Sequence, residues 1–382
     1  MQKILQMNFP ARLVFGNHSL AQMVDELVHL KSSRVAIVTI PALQSSIHPM
    51  LDQLAAAGIE VLMDEGISAE PYFADLHRLL DYFTPFHPDT VLGIGGGSVL
   101  DVAKLVAALL DNEQTLKDVV GNGLLKKRTK KLICVPATSG TGSEVSPNAI
   151  LIDDADGQKK GIISPFLVPD LVLVDPVLTS SVPPAVTAAT GLDALTHCIE
   201  AYTNKFSNPF IDVFALEGIR LIATNLVDAV TDGNNLVARE KLSMGSMNGG
   251  FCLGPVNTAA VHALAYPLGT MYHVAHGLSN AVLLPHVMEF NVPAAVEKYA
   301  AVAGALGVSP DADLHAMALK GIVRIREIMQ ACNVPANLRS MGVTRESIPI
   351  LAEEAMKIQR LLKNNPRTVL LEDAINIYEK TC

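Results

Sequence analysis

The chain has 382 residues, 49% of them hydrophobic and 18% charged, with a net charge of −9. An acidic surface excludes nucleic acid as the main partner, and no apolar run reaches the roughly 18 residues of a membrane span. Five cysteines with no C-x-x-C pair, and no apolar leader at the N-terminus, read as a reduced, cytoplasmic protein.

A length beyond the usual limit of one core predicts two domains. The first half alternates short β-branched runs with helix-length segments. Strand-like residues occupy 7–16, 34–40, 59–63, 90–94, 131–135, 149–152 and 171–174, with helical segments at 71–86 and 98–110. Short apolar runs split by helices indicate a parallel sheet covered on both faces. The pattern changes at Asp175-Pro-Val-Leu-Thr-Ser-Ser-Val-Pro-Pro184, where prolines and hydroxyl residues mark a boundary. Beyond it only helical composition follows: 185–204, 210–229, 236–252, 255–271 and several segments after 292. The expected fold is therefore α/β plus all-α, with a Rossmann-like parallel-sheet domain at 1–180 and a helical domain at 181–382.

Two loops leave predicted strands in the first half. Thr90–Ile94 runs into Gly95-Gly-Gly-Ser98, with Asp101 and Lys104 in the helix that follows. Glycines let backbone approach a ligand, and Ser98 as N-cap would turn the first N–H groups towards a pyrophosphate. A sharp structural turn explains the same residues. Pro136-Ala-Thr-Ser-Gly-Thr-Gly-Ser-Glu144 follows the next strand in like manner, and paired loops at strand ends are where open α/β sheets bind ligands.

The second half carries metal chemistry. On a helix, Asp193 and His197 stand at i and i+4, so a carboxylate and an imidazole face one point. The pair by itself is equally a surface contact. With His262 and His276 as further donors, the four are expected to meet on one divalent metal.

At these residues the chain resembles the iron-containing (group III) alcohol dehydrogenases. The resemblance rests on Gly95-Gly-Gly-Ser98 with Asp101 and Lys104, Thr138-Ser-Gly-Thr-Gly-Ser-Glu-Val145, and Asp175-Pro-x-Leu-Thr179. It extends through Ala189-Thr-Gly-Leu-Asp-Ala-Leu-Thr-His-x-Ile-Glu-Ala-Tyr202, His262-Ala-Leu-Ala, His276-Gly-x-x-Asn-Ala-x-Leu-Leu-Pro285 and Asn365-Pro-Arg367. It implies a dehydroquinate synthase-like architecture and Asp193, His197, His262 and His276 as ligands of Fe(II), a site that Zn(II) also suits. It implies Gly96, Gly97 and Ser98 at a nicotinamide dinucleotide's pyrophosphate, with Asp101, Thr138, Ser139, Thr141, Asn148, Lys159 and Leu178 around the cofactor. The implied function is reversible hydride transfer between a small primary alcohol or diol and NAD, by a homodimer or larger assembly. Maleylacetate- and phosphonoacetaldehyde-type reductases, or a metal- and NAD-dependent lyase or cyclase, are the alternatives.

Three departures stand out. Ile40-Pro41 occupies the place of an acidic residue that would select NAD, which leaves NADP open, although no Lys or Arg lies in 40–50. Tyr266 replaces a frequent second histidine; it either relays a proton, as the candidate catalytic residue, or walls the pocket. Leu253 stands where many members carry Phe. His273 is read as surface, core or a contact behind a ligand; Glu200 and Asp212 are read as helix-surface charges.

Overall fold

The computed structural model describes residues 5–67 and 69–382. The chain divides into two compact units, one of residues 1–138 and 142–180, the other of residues 139–141 and 181–382.

The first unit runs β1 (Arg12–Phe15), α1 (Met23–His29), β2 (Arg34–Val38), α2 (Gln44–Ala56), β3 (Glu60–Asp64), α3 (Phe73–Phe83), β4 (Thr90–Gly95), α4 (Gly97–Leu109), α5 (Leu116–Val119), β5 (Gly121–Asn122), β6 (Lys131–Pro136), β7 (Asn148–Ile152), β8 (Lys159–Ile163) and β9 (Leu171–Val174). Six strands form one sheet in the order β1-β9-β6-β4-β2-β3, every pair parallel. Successive strand residues enter opposite cores, as the two-residue period requires. Ala36, Val38, Val91, Leu132 and Cys134 pack with α3 and α4, while Val35, Ile37, Leu92, Ile94, Ile133 and Val135 pack with α1 and α2. Strand order reverses between β2 and β4, so the loops leaving them border the crevice where such sheets take ligands. A Cβ on Gly95 would lie 2.7 Å from Val99, so glycine there lets α4 start against its own strand.

Two findings differ from the expectations. Residues 149–152 do not extend the main sheet. They belong to β7, which pairs antiparallel with β8 in a separate three-stranded sheet that the sequence reading did not anticipate. The N-cap of α4 is Gly96 in extended backbone, and Ser98 lies one residue inside the helix.

The second unit is helical: α6 (Pro184–Thr203), α7 (Pro209–Thr231), α8 (Leu236–Leu253), α9 (Ala260–Tyr272), α10 (His276–Asn291), α11 (Val296–Ala305), α12 (Leu314–Ala331), α13 (Ile348–Met356), α14 (Gln359–Leu362) and α15 (Leu371–Thr381). No strand follows Ser180 among the described residues. The segment expected as helix from 255 begins only at Ala260, because Asn257 adopts a left-handed conformation. Helix α6 packs against α7, α8 and α10. A Cβ on Gly277 would lie 2.3 Å from the Ala189 carbonyl, so only glycine lets the start of α10 abut α6 and bring His276 to Asp193. Among the described residues no helix is long and apolar enough to cross a membrane.

Candidate functional site

Helix α6 presents Asp193, His197 and Glu200 at i, i+4 and i+7, on one face. Helix α9 brings His262 to that face and α10 brings His276 from its first residue. Asp193 Oδ1 lies 3.5 Å from His262 Nε2, 3.7 Å from His276 Nε2 and 3.9 Å from His197 Nε2. Asp193, His262 and His276 each offer a ligand atom within 4.8 Å of the others. His197 stands just outside that mutual set, its ring stacked on His262 at 4.7 Å.

Neighbours orient these donors. Glu200 Oε2 lies 2.6 Å from His262 Nδ1 and also accepts the Ala259 N–H, while Oε1 accepts the Val261 N–H at 2.6 Å. The carboxylate thus caps the start of α9. It also holds the His262 ring at Nδ1, so that Nε2 faces Asp193 Oδ1. Asn280 Nδ2 donates to Asp193 Oδ1 at 2.6 Å and lies 3.1 Å from His262 Nε2 and 3.2 Å from His276 Nε2.

Asp193, His197, Glu200 and His262 are between 2% and 5% exposed. Burial opposes charge on both Asp193 and His262, yet their mutual attraction wins. The three histidines hold the Asp193 carboxyl well below the usual carboxylate range, and the Glu200 and Asp193 carboxylates push His262 up to about 10. Burial dominates at His197 and lowers its pKa. Two buried carboxylates, Asp193 and Glu200, beside three imidazoles make a site that favours a cation. Nitrogen and oxygen donors with ligand atoms this close fit a borderline divalent ion such as Fe(II) or Zn(II).

The loops of the first unit work differently. Gly96 caps α4, and Gly97 and Ser98 form its first turn. Thr138 flanks this turn, with its side chain 3.4 Å from where a Cβ on Gly96 would lie. Asp101, expected at the cofactor, accepts hydrogen bonds from Ser143 Oγ at 2.5 Å and the Ile150 N–H at 2.9 Å. The fully buried Lys104 amine donates to Ser143 Oγ and to the carbonyls of Ser146 and Asn148. Both side chains therefore clamp the second loop to α4. Among the described residues the buried Asn148 side-chain oxygen has no hydrogen-bond partner. Lys159 pairs with Glu70 at 2.5 Å, and Leu178 is buried in the core beside β9. In the other unit, Ser139 bonds Ser243 at 3.0 Å and Thr141 is half-buried.

Known proteins match most of the chain. Residues 10–176 match the family described as iron-containing alcohol dehydrogenase, and residues 187–382 match its C-terminal part, described as the Fe-containing alcohol dehydrogenase family, C-terminal. The chain belongs to the iron-containing alcohol dehydrogenases. It is 32% identical to the sulfoacetaldehyde reductase of Bilophila wadsworthia over 96% of each chain. The crystal structure of a 1,3-propanediol oxidoreductase superposes with a TM-score of 0.96 at 32% identity, covering all of both chains. A sulfoacetaldehyde reductase from Bifidobacterium kashiwanohense in complex with NAD+ superposes at 0.89 with 26% identity, over 99% of each. Like the rest of its family, the chain is a metal-dependent oxidoreductase acting on alcohols or aldehydes.

Within this iron-containing alcohol dehydrogenase, the sequence reading missed two residues. Glu200 is no surface charge: it is buried behind His262, and its i+7 spacing from Asp193 was the available signal. Asn280 stands at i+4 from His276, a spacing that likewise placed it beside the ligands. His273, the left-handed C-cap of α9, is exposed.

Proposed function

We propose that the chain interconverts a short primary alcohol or diol and its aldehyde with NAD, using Fe(II) held by Asp193, His197, His262 and His276. When bound, the ion supplies Lewis-acid polarisation of the substrate oxygen and the nicotinamide accepts or returns hydride. The observation that carries this reading is the convergence of Asp193 Oδ1 on three imidazole nitrogens, with His262 oriented by Glu200 and Asp193 by Asn280.

The chain's own residues do the rest. Gly96, Gly97 and Ser98 offer first-turn N–H groups to the pyrophosphate, where the helix dipole favours negative charge. Asp101 and Lys104 fix the second loop, so that Thr138, Ser139, Thr141 and Asn148 meet the cofactor without reorganising. Lys159 and Leu178 complete this wall. Tyr266 lies with its ring 5.9 Å from that of His276, and its hydroxyl accepts a hydrogen bond from Arg360; we assign it the relay of the substrate's proton. NAD is favoured over NADP because no Lys or Arg occurs in 40–50 to meet a 2′-phosphate, and because the Bifidobacterium relative was solved with NAD+. Five free cysteines, four of them buried, suit a cytoplasmic enzyme, and we assign it a homodimeric or larger assembly.

The test is an anaerobic screen of alcohols and aldehydes with NAD(H) and NADP(H) after loading with Fe(II) or Zn(II). Net NADH accumulation with a plain alcohol is expected. A lyase or cyclase would regenerate NAD within each turnover and accumulate none.

A further inference from the structure

Arg360 lies beside the candidate catalytic tyrosine with no anion to meet it. Its Nη2 donates to Tyr266 Oη at 3.0 Å, and its guanidinium carbon stands 5.6 Å from the centre of the Tyr266 ring. That ring in turn borders His276. Among the described residues, one guanidinium donor of five is thereby used on protein. Among the described residues no carboxylate lies within ion-pair distance of Arg360; the nearby Glu354 pairs with Lys357 instead. From Thr258 to Met288, the stretch holding His262, Tyr266 and His276, the sequence has no Asp or Glu at all.

The position is held firmly. Leu361 and Leu362 are buried, and α14 packs against α9. Asn364 Nδ2 donates to the Thr258 carbonyl at 2.8 Å, and the Asn364 carbonyl accepts the Lys205 N–H. Asn365 exchanges two hydrogen bonds with Asn291. A guanidinium on so fixed a backbone keeps its fork geometry, which matches planar or tetrahedral oxyanions.

Resting on the reading of this site as an alcohol dehydrogenase, we infer that Arg360 determines specificity for a substrate with an anionic far end: a short hydroxy- or oxo-compound bearing a carboxylate, sulfonate or phosphonate. The reacting oxygen goes to the Asp193–His262–His276 side of Tyr266 and the anion to the Arg360 side.

The experiment pairs 1,3-propanediol with 3-hydroxypropionate, and adds 2-hydroxyethanesulfonate and 2-hydroxyethylphosphonate to distinguish the three anions. It uses metal-loaded wild type, R360Q and R360K. A second readout needs no turnover: calorimetric binding of propane-1-sulfonate, which has no hydroxyl to oxidise. For R360Q the ratio of kcat/KM on the preferred anion to that on the diol should fall about ten- to a hundredfold, the worth of a charged hydrogen bond. The change should lie mostly in KM, sulfonate binding should weaken in parallel, and R360K should restore part of both. Equal losses on charged and neutral substrates would make Arg360 a positioning residue for Tyr266 and overturn the inference. So would a wild-type preference for the diol, or sulfonate binding unchanged in R360Q. If wild type oxidises none of these compounds, the dehydrogenase reading itself fails, and the sulfonate measurement still decides whether Arg360 holds an anion.

Discussion

The two units prepare for their ligands by opposite means. In the helical unit side chains supply the donors: Asp193, His262 and His276 come together from three helices with His197 beside them, steered by Glu200 and Asn280. In the sheet unit the backbone of Gly96 to Ser98 offers N–H groups, while the charged side chains nearby, Asp101 and Lys104, face inward and hold a loop. A metal site tolerates small errors poorly and is built on rigid helix faces. A phosphate site needs a bare backbone and something to stop it moving.

Breaking one unit should therefore spare the other. His262→Ala removes a ligand and unpairs the buried Glu200; iron binding should weaken by well over the roughly hundredfold that outer contacts cost, with NAD affinity kept. Equilibrium dialysis against Fe(II) and calorimetry with NAD separate the two. Lys104→Met does the reverse. It strips four hydrogen bonds from Ser143, Ser146 and Asn148 and leaves the buried Asp101 without its cationic neighbour, a loss of about 3–5 kcal/mol. The midpoint of chemical unfolding and NAD affinity should fall while iron content stays, and iron lost together with NAD would erase the distinction drawn here.

A third change sharpens the same loop. Burial pushes Glu144 up to about 7 from its ordinary 4.5. Between those values the folded chain keeps a proton that the unfolded chain has released, so stability falls as pH rises through this window, by as much as about 3 kcal/mol. Glu144→Gln should flatten the dependence of melting temperature on pH there; an unaltered slope assigns it to other groups. The smallest effect is expected behind the metal. Glu200→Gln keeps the size and loses the charge, and iron affinity should drop about ten- to a hundredfold. An unchanged affinity would show that α9 alone orients His262.

Much of this could be read before the fold was known, where local periodicity decides. The i, i+4 spacing of Asp193 and His197 survives as geometry because an α-helix fixes it. The short apolar runs expected as strands at 34–40, 90–94 and 131–135 form the central parallel strands β2, β4 and β6. What escaped depends on the partner across the fold. Glu200 reads as a surface charge until the first N–H groups of α9 arrive on it. Asp101 and Lys104 look like a ligand's neighbours until the Ser143–Ile150 stretch is seen to need them. Helix α10, with Gly277 at its start and Pro285 inside, carries signals against helix that tertiary packing overrides. Arg360 has no local signature, because its only side-chain hydrogen bond among the described residues is to a tyrosine 94 residues away.

The most direct test is anomalous X-ray scattering at the iron edge on crystals of the Fe(II)-loaded protein. One peak is predicted amid Asp193, His262 and His276, about 2.1 Å from their donor atoms, with His197 turned in as the fourth ligand. A peak elsewhere, or none among these side chains in an active preparation, would contradict the account.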